Sequence, residues 1–220
     1  MKRTLSLIFY PKRQILARQG ISAALVYLFL LPYQIHRLQT WGEMSASREI
    51  FKTDQLFLPL LLLWSLFQFF LPVYQSGTKE SMQAYRHPIS SASLLLMGIQ
   101  QLVYVPLYIW TYLALPHFHY IVGILIFQLA CVGTLFAAAL YVFGSPIVNM
   151  GVGLAYIGVS MPLAESVVPL LFRPNRMIDG FLLDYWVIHI GIQLALCVLL
   201  FAWQRRNAKY GGGYPRLQND

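Results

Sequence analysis

The sequence predicts an all-α, polytopic membrane protein, and three observations carry that prediction. Of its 220 residues 58% are hydrophobic and only 11% charged, against about 25% charged in an ordinary soluble domain. The apolar residues fall in runs approaching 20, the length that takes a helix across the ~30 Å hydrocarbon core of a bilayer. The basic residues behind the +8 net charge sit at segment ends and in the tails. That distribution sets orientation in a membrane, whereas a nucleic-acid binder gathers its charge along one polar face. A chain of this length with short loops holds about six spans and leaves no room for a soluble catalytic domain.

Taken in order, residues 1–20 mix Lys2, Arg3, Lys12, Arg13 and Arg18 with Leu5, Leu7, Ile8, Phe9, Ile15 and Leu16, divided by Pro11. The charges run throughout instead of preceding an apolar core, and no small-residue cleavage site follows. The segment therefore reads as an amphipathic helix lying on the inner membrane face, not as a signal peptide. Residues 21–203 are the expected six-helix membrane domain. Its first span is 21–36, followed by a mixed-charge loop, 37–55. The second span is 56–74 and the third runs from about Ala92 to Leu115. Pro116 to His119 turns the chain into a fourth span, 120–143, and Gly144-Ser145-Pro146 turns it into a fifth, 147–160. The sixth span is 184–203, and residues 204–220 form a polar, basic tail.

Between the second and third spans lies the polar stretch 75–93. Gly77 breaks the preceding helix, Thr78 can cap a new one, and Glu80 lies where a carboxylate meets the positive end of a helix dipole. A short surface helix from about Lys79 to Tyr85, passing through Ala84, ends before Pro88, which lacks an N–H and disfavours helix at His87. Residues 161–183 contain Pro162, Glu165 and Pro169 and cannot form one clean helix. A charge at mid-bilayer costs about 2.5 to 3.5 kcal/mol, and two prolines leave backbone groups unsatisfied in lipid. The segment is expected instead to be a hairpin lodged in protein near the external surface, with Glu165 capping its second arm or pairing with Arg173 or Arg176. Counting Lys and Arg on alternate sides gives eleven on the side of both termini and the 75–93 stretch, against five on the other. The positive-inside rule then puts both termini and that stretch in the cytoplasm of a cell-membrane protein.

These features resemble the membrane subunit, or permease, of a type-2 ATP-binding-cassette (ABC) exporter. In that family a basic amphipathic helix precedes the first span, and a cytosolic coupling helix follows the second with the pattern Gly-Thr-x-Glu, six or seven residues, then Pro. Here the pattern is Gly77-Thr78-Lys79-Glu80, residues 81–87, and Pro88. A proline-rich external re-entrant hairpin follows the family's fifth span, resembled by Pro162, Glu165 and Pro169. The residues before Gly-Thr depart from the family, which often has Glu or Arg where this chain has Val73, Tyr74 and Gln75. The resemblance implies coupling to an ATPase through Gly77, Thr78, Glu80, Ala84 and Pro88, and an outer gate at Pro162, Glu165 and Pro169. It also implies two ABC ATPase subunits carrying ATP and Mg, a second permease chain, identical or related, and outward movement of an amphipathic peptide, antibiotic or lipid-like substrate.

The residues support this reading on their own terms. The chain has no phosphate-binding loop of the G-x-x-x-x-G-K-S/T type, so its energy must come from a partner or an ion gradient. Ion-coupled carriers place ionisable groups within their spans, and from the sequence only Glu165, Asp184 and His189 come near that description. The expectation is therefore a non-enzymatic subunit with no cofactor or metal of its own, bound to the bilayer and not to nucleic acid. The alternatives are an intramembrane protease built on Ser160 and His189, or a non-transport assembly subunit. His117 and His119 alternate in a turn but lack the further Cys, Asp or Glu ligands of a metal site. Gly151, Gly153, Ala155 and Gly158 give the fifth span a smooth face suited to helix packing.

Overall fold

A computed structural model describes residues 20–75, 89–118 and 120–160, with helical positions at 191–192, 194–195, 198–199 and 202. The expected amphipathic segment, coupling helix, external hairpin and basic tail lie outside the described residues, as does most of the sixth span. The secondary structure of the described residues is entirely helical, with no strand among them. Four of the helices are long and apolar enough to cross a membrane.

Helix α1 (Gly20–Trp41) passes through a π-helical turn at Val26–Leu30, where the Leu31 N–H bonds back to Val26 O. Pro32 explains the widening. It offers no N–H to Leu28 O and its ring crowds that carbonyl, so the preceding turn opens by one residue. Gly42 then reverses the chain with φ 73° and ψ 168°, a backbone region that is essentially closed to residues with a Cβ. Helix α2 (Glu43–Gln75) follows at once and runs for 33 residues with Pro59 and Pro72 inside it.

This overturns one expectation. Residues 37–55 do not form a loop: they are the end of α1, the Gly42 turn and the first turns of α2. The charges there mask an amphipathic helix, because Arg48 and Lys52 are exposed while Ala46, Ile50 and Phe51 are buried against the bundle. At 1.5 Å per residue α2 is roughly 50 Å long, more than the hydrocarbon core requires.

Helix α3 (Ile89–Ala114) contains Pro106, and α4 (Tyr120–Phe143) is the most enclosed of the four membrane-length helices. Gly144, with φ 61°, turns the chain into α5 (Pro146–Ser160), where proline takes the first helical position. At 15 residues, or roughly 22 Å, α5 falls short of a full span. Helix α2 is the hub, touching α1, α3, α4 and α5. Its Leu58, Leu62, Leu66 and Phe70 are fully buried. At the Gly42 end, Glu43 Oε1 accepts a hydrogen bond from the His117 backbone N–H at 3.2 Å, tying the first hairpin to the α3–α4 turn.

Around an apolar core, many large apolar side chains are exposed and several polar ones are buried. Leu28 and Phe29 are 68% exposed and Leu102 and Leu113 71%, while Gln34, Asp54, Gln55, Gln100, Gln128 and Asn149 are buried. Large apolar side chains outside and polar ones inside suit a bundle whose solvent is lipid.

Candidate functional site: a polar seam through the bundle

One face of each of the first three helices carries polar residues at helical spacing. On α1 these are Ser22 and Gln34, in a buried row with Val26 and Leu30. On α2 they are Asp54, Gln55 and Ser65, in register with Ile50, Leu58 and Leu62. On α3 they are Gln100, Tyr104, Tyr108 and Thr111. Residues four apart share a face of a helix, so each row presents one stripe, and the three stripes meet.

At the end away from the Gly42 turn the seam is a chain of hydrogen bonds. Ser65 Oγ donates to Gln100 Oε1 at 3.1 Å, which leaves Ser22 to donate to Ser65 across 3.2 Å. Gln100 Nε2 donates to the Tyr104 hydroxyl at 2.7 Å, and that hydroxyl reaches weakly toward Leu58 O at 3.5 Å. Beside it, the Tyr27 hydroxyl donates to Val103 O, and Tyr108 donates to Gln101 Oε1 at 2.8 Å. Interhelical bonds of this kind hold membrane helices together where lipid gives no hydrophobic drive, at about 0.6 kcal/mol each on average.

Nearer the Gly42 turn the seam is less complete. Gln34 Nε2 donates to Asp54 Oδ1, and both residues are 0% exposed. Asp54 Oδ2, Gln34 Oε1, Gln55 Oε1 and the Thr111 hydroxyl are all buried without a hydrogen-bond partner. Arg37, one turn beyond Gln34, does not neutralise the carboxylate. Its guanidinium is stacked 3.9 Å from the Trp41 ring centroid and 5.0 Å from that of Tyr33. A buried polar group left unpaired costs about 1–3 kcal/mol, and an ionised one more. Two amide oxygens, one carboxylate oxygen and the Thr111 hydroxyl are left without partners here, as is the buried Arg37 Nε, and this end of the seam is correspondingly costly.

The residues expected from sequence to do the work lie elsewhere. Gly77, Thr78, Glu80, Ala84 and Pro88, and Pro162, Glu165 and Pro169, fall outside the described residues. Helices α2 and α3, however, end and begin on either side of the 76–88 stretch, at Gln75 and Ile89. His189 also lies outside, so the Ser160–His189 pairing has no geometry. Among the described residues no group of three or more His, Cys, Asp or Glu gathers into a metal site. Cys131 packs on the core as an apolar side chain.

Sequence reasoning missed Asp54 and Gln34 because it placed Asp54 in a loop. The signal was present: Ala46, Ile50, Leu58 and Leu62 recur every four residues, and Asp54 fills the gap in that row.

Fold and seam together define the class, an all-helical bundle with four membrane-length helices, an apolar core and a polar seam between the first three. Among known proteins, no family model matches the chain, and no curated protein or solved structure is similar to it at a significant level.

Proposed function

We propose that this chain is the permease subunit of an ATP-driven exporter of the type-2 ABC class. It would move an amphipathic peptide, antibiotic or lipid-like molecule outward across the cell membrane with six spans and cytoplasmic termini. The observation that carries the proposal is the α2–α3 hairpin. Two membrane-length helices end at Gln75 and begin at Ile89, and the stretch between them holds the Gly77-Thr78-Lys79-Glu80 and Pro88 pattern. A connection at that position can transmit force from a cytosolic partner directly into α2, the helix that touches every other described helix of the bundle. On this reading two ABC ATPase subunits supply ATP hydrolysis with Mg, and a second permease chain completes the pathway. Arg37, Arg48 and Lys52, grouped around the Gly42 turn, remain on the outer, less basic side.

The test is uncoupling. Glu80→Lys and Ala84→Pro, in the complex reconstituted with its ATPase partner, are expected to insert normally but to separate ATP hydrolysis from substrate movement. Parental rates of both activities in both variants would show that the stretch is an ordinary solvated loop, which tolerates such changes.

Asp54 favours a second reading, a cation-coupled carrier. The sequence argument for a borrowed energy source rested on the scarcity of ionisable groups within the spans, and a fully buried carboxylate in α2 weakens it. Transport that persists without any ATPase partner and follows an imposed cation gradient would select this reading.

A further inference from the structure

Three helices of the bundle are interrupted at one depth. The α1–α2 contacts Ser22 to Ser65 and Gln34 to Asp54 fix the register of the two helices. Halfway between them stands Leu28 on α1, the centre of the π turn Val26–Leu30, and on α2 the Pro59–Leu60 bond. Pro59 is the central residue of the 33 in α2. Ser65 also meets Gln100 on α3, so six residues toward the Gly42 turn brings α2 to Pro59 and α3 to Pro106. Pro59 and Pro106 withhold the N–H that Gln55 O and Leu102 O would receive in an unbroken helix, and a π turn is itself a break in the four-residue ladder. Helix α4 starts near this level, because its Ile126 O accepts from Gln101, five residues before Pro106. Helix α5 reaches it only in its last turn, since Gly153 lies against Leu63.

Hydrogen bonds tie the bundle on both sides of that level. On the Gly42 side Gln34 joins Asp54, and Glu43 accepts from His117 in the α3–α4 turn. On the other side Ser22, Ser65 and Gln100 join α1, α2 and α3, and Gln101 joins α4. Each part is tied within itself, and the three helices that cross between them are interrupted there. We propose that the level of Leu28, Pro59 and Pro106 is a hinge plane, on which the Gly42 side of the bundle tilts as one body against the rest. Interruptions at scattered depths would let each helix bend alone and would pull the polar seam apart. Aligned ones let three helices bend together with Gln34 still on Asp54. Sharp helix bends arise at prolines and π turns and exceed about 20°. The part of α2 from Glu43 to Pro59 is roughly 24 Å long, so a tilt of about 20° carries its end through roughly 8 Å. The plane rests on backbone chemistry and register, so it stands whether ATP or an ion gradient drives the protein.

The experiment measures distances between spin labels in the purified full chain in lipid nanodiscs, with Cys131 and Cys197 first replaced by alanine. One pair, Ser45→Cys on α2 and Ile126→Cys on α4, spans the plane. A control pair, Leu94→Cys on α3 and Ile126→Cys, lies on one side of it, and all three positions are exposed. The expected result is a distance that spreads over up to roughly 8 Å for the spanning pair and a narrow one for the control. Pro106→Ala is expected to narrow the spanning distribution to the width of the control, although neither of its labels is on α3. Pro59→Ala is expected to do the same and serves if Pro106→Ala does not fold. A spanning distribution as narrow as the control in the parent chain would overturn the hinge. So would a broad one that neither alanine variant narrows, which is the behaviour of helices that tilt unbent or bend one by one.

Discussion

Gln100 offers the sharpest test of whether the polar seam holds the bundle together. Its side chain accepts from Ser65 on α2 and donates to Tyr104 one turn along α3, so one amide ties two helices and orders a tyrosine. Gln100→Leu keeps most of the volume and removes both bonds. The lost interhelical bond contributes about 0.6 kcal/mol, up to about 1.7, on measured membrane precedents. The Ser65 hydroxyl recovers part of that by bonding back to its own helix, while the Tyr104 oxygen loses its donor. The net expectation is a destabilisation of about 1–2 kcal/mol, or roughly 2–8 °C in melting midpoint for a chain of this size. Ser65→Ala alone is expected to cost about 0.6 kcal/mol. The informative quantity is the coupling in the Ser65→Ala, Gln100→Leu double-mutant cycle, read from SDS-driven unfolding in mixed micelles, with an expected interaction of about 0.6–1.7 kcal/mol. Effects that add to within about 0.3 kcal/mol would mean that the two side chains do not act on each other, and the seam would be a coincidence of buried polar groups.

Two further expectations follow from the first hairpin. Gly42→Ala places a Cβ where nothing lies within 4 Å, so any loss comes from backbone strain at φ 73°. That strain is expected to destabilise by about 1–3 kcal/mol, whereas Gly151→Ala, equally open but helical, is expected to gain up to about 1 kcal/mol. Equal melting midpoints for the two variants would refute the reading of the turn. For orientation, a cysteine at Ser45, exposed at the Gly42 end of α2, is expected to react with an impermeant thiol reagent from outside intact cells, and one at Ser81 is not. Ser47, although close by, is buried and would give no reliable label. Labelling at Ser81 from outside would invert the orientation and remove the access of that stretch to ATP.

The sequence was most legible where hydropathy alone decides. The fourth span was expected at 120–143 and α4 occupies Tyr120–Phe143, because a run that is apolar on every face leaves no other choice. The end of the second span at Tyr74 and the turn at Gly144 were placed within a residue of where the helices stop. Reasoning from hydropathy failed over 37–55, where Glu43, Arg48, Glu49 and Lys52 lower the average while a row of apolar residues every fourth position fixes the helix. That error concealed Asp54, since a carboxylate in a loop needs no partner. The smooth face of the fifth helix was read correctly in part. A Cβ on Gly153 would stand 2.8 Å from a Leu63 methyl, so α5 packs closely on α2 there, but Gly151 and Gly158 face open space. Seam partners such as Ser65 and Gln100 could not be read from one chain without knowing the depth at which α2 and α3 cross.

The length of α2 sets a mechanical ratio. A rod of roughly 50 Å pivoting at its Glu43 end through about 10° carries its Gln75 end through roughly 9 Å. Asp54 stands eleven residues from Glu43 on that rod, or roughly 16 Å along the axis, and moves only about 3 Å. A 3 Å displacement is small for a helix but large for a hydrogen bond, which weakens steeply once its partners separate by more than a fraction of that distance. On the coupling reading proposed above, and if α2 moved as one rod instead of bending at Pro59, a broad swing at its Gln75 end would be geared down, at the level of Gln34, to a step that makes or breaks one contact. Force applied at one membrane face would be registered, near the opposite face, as the opening of a single buried carboxylate.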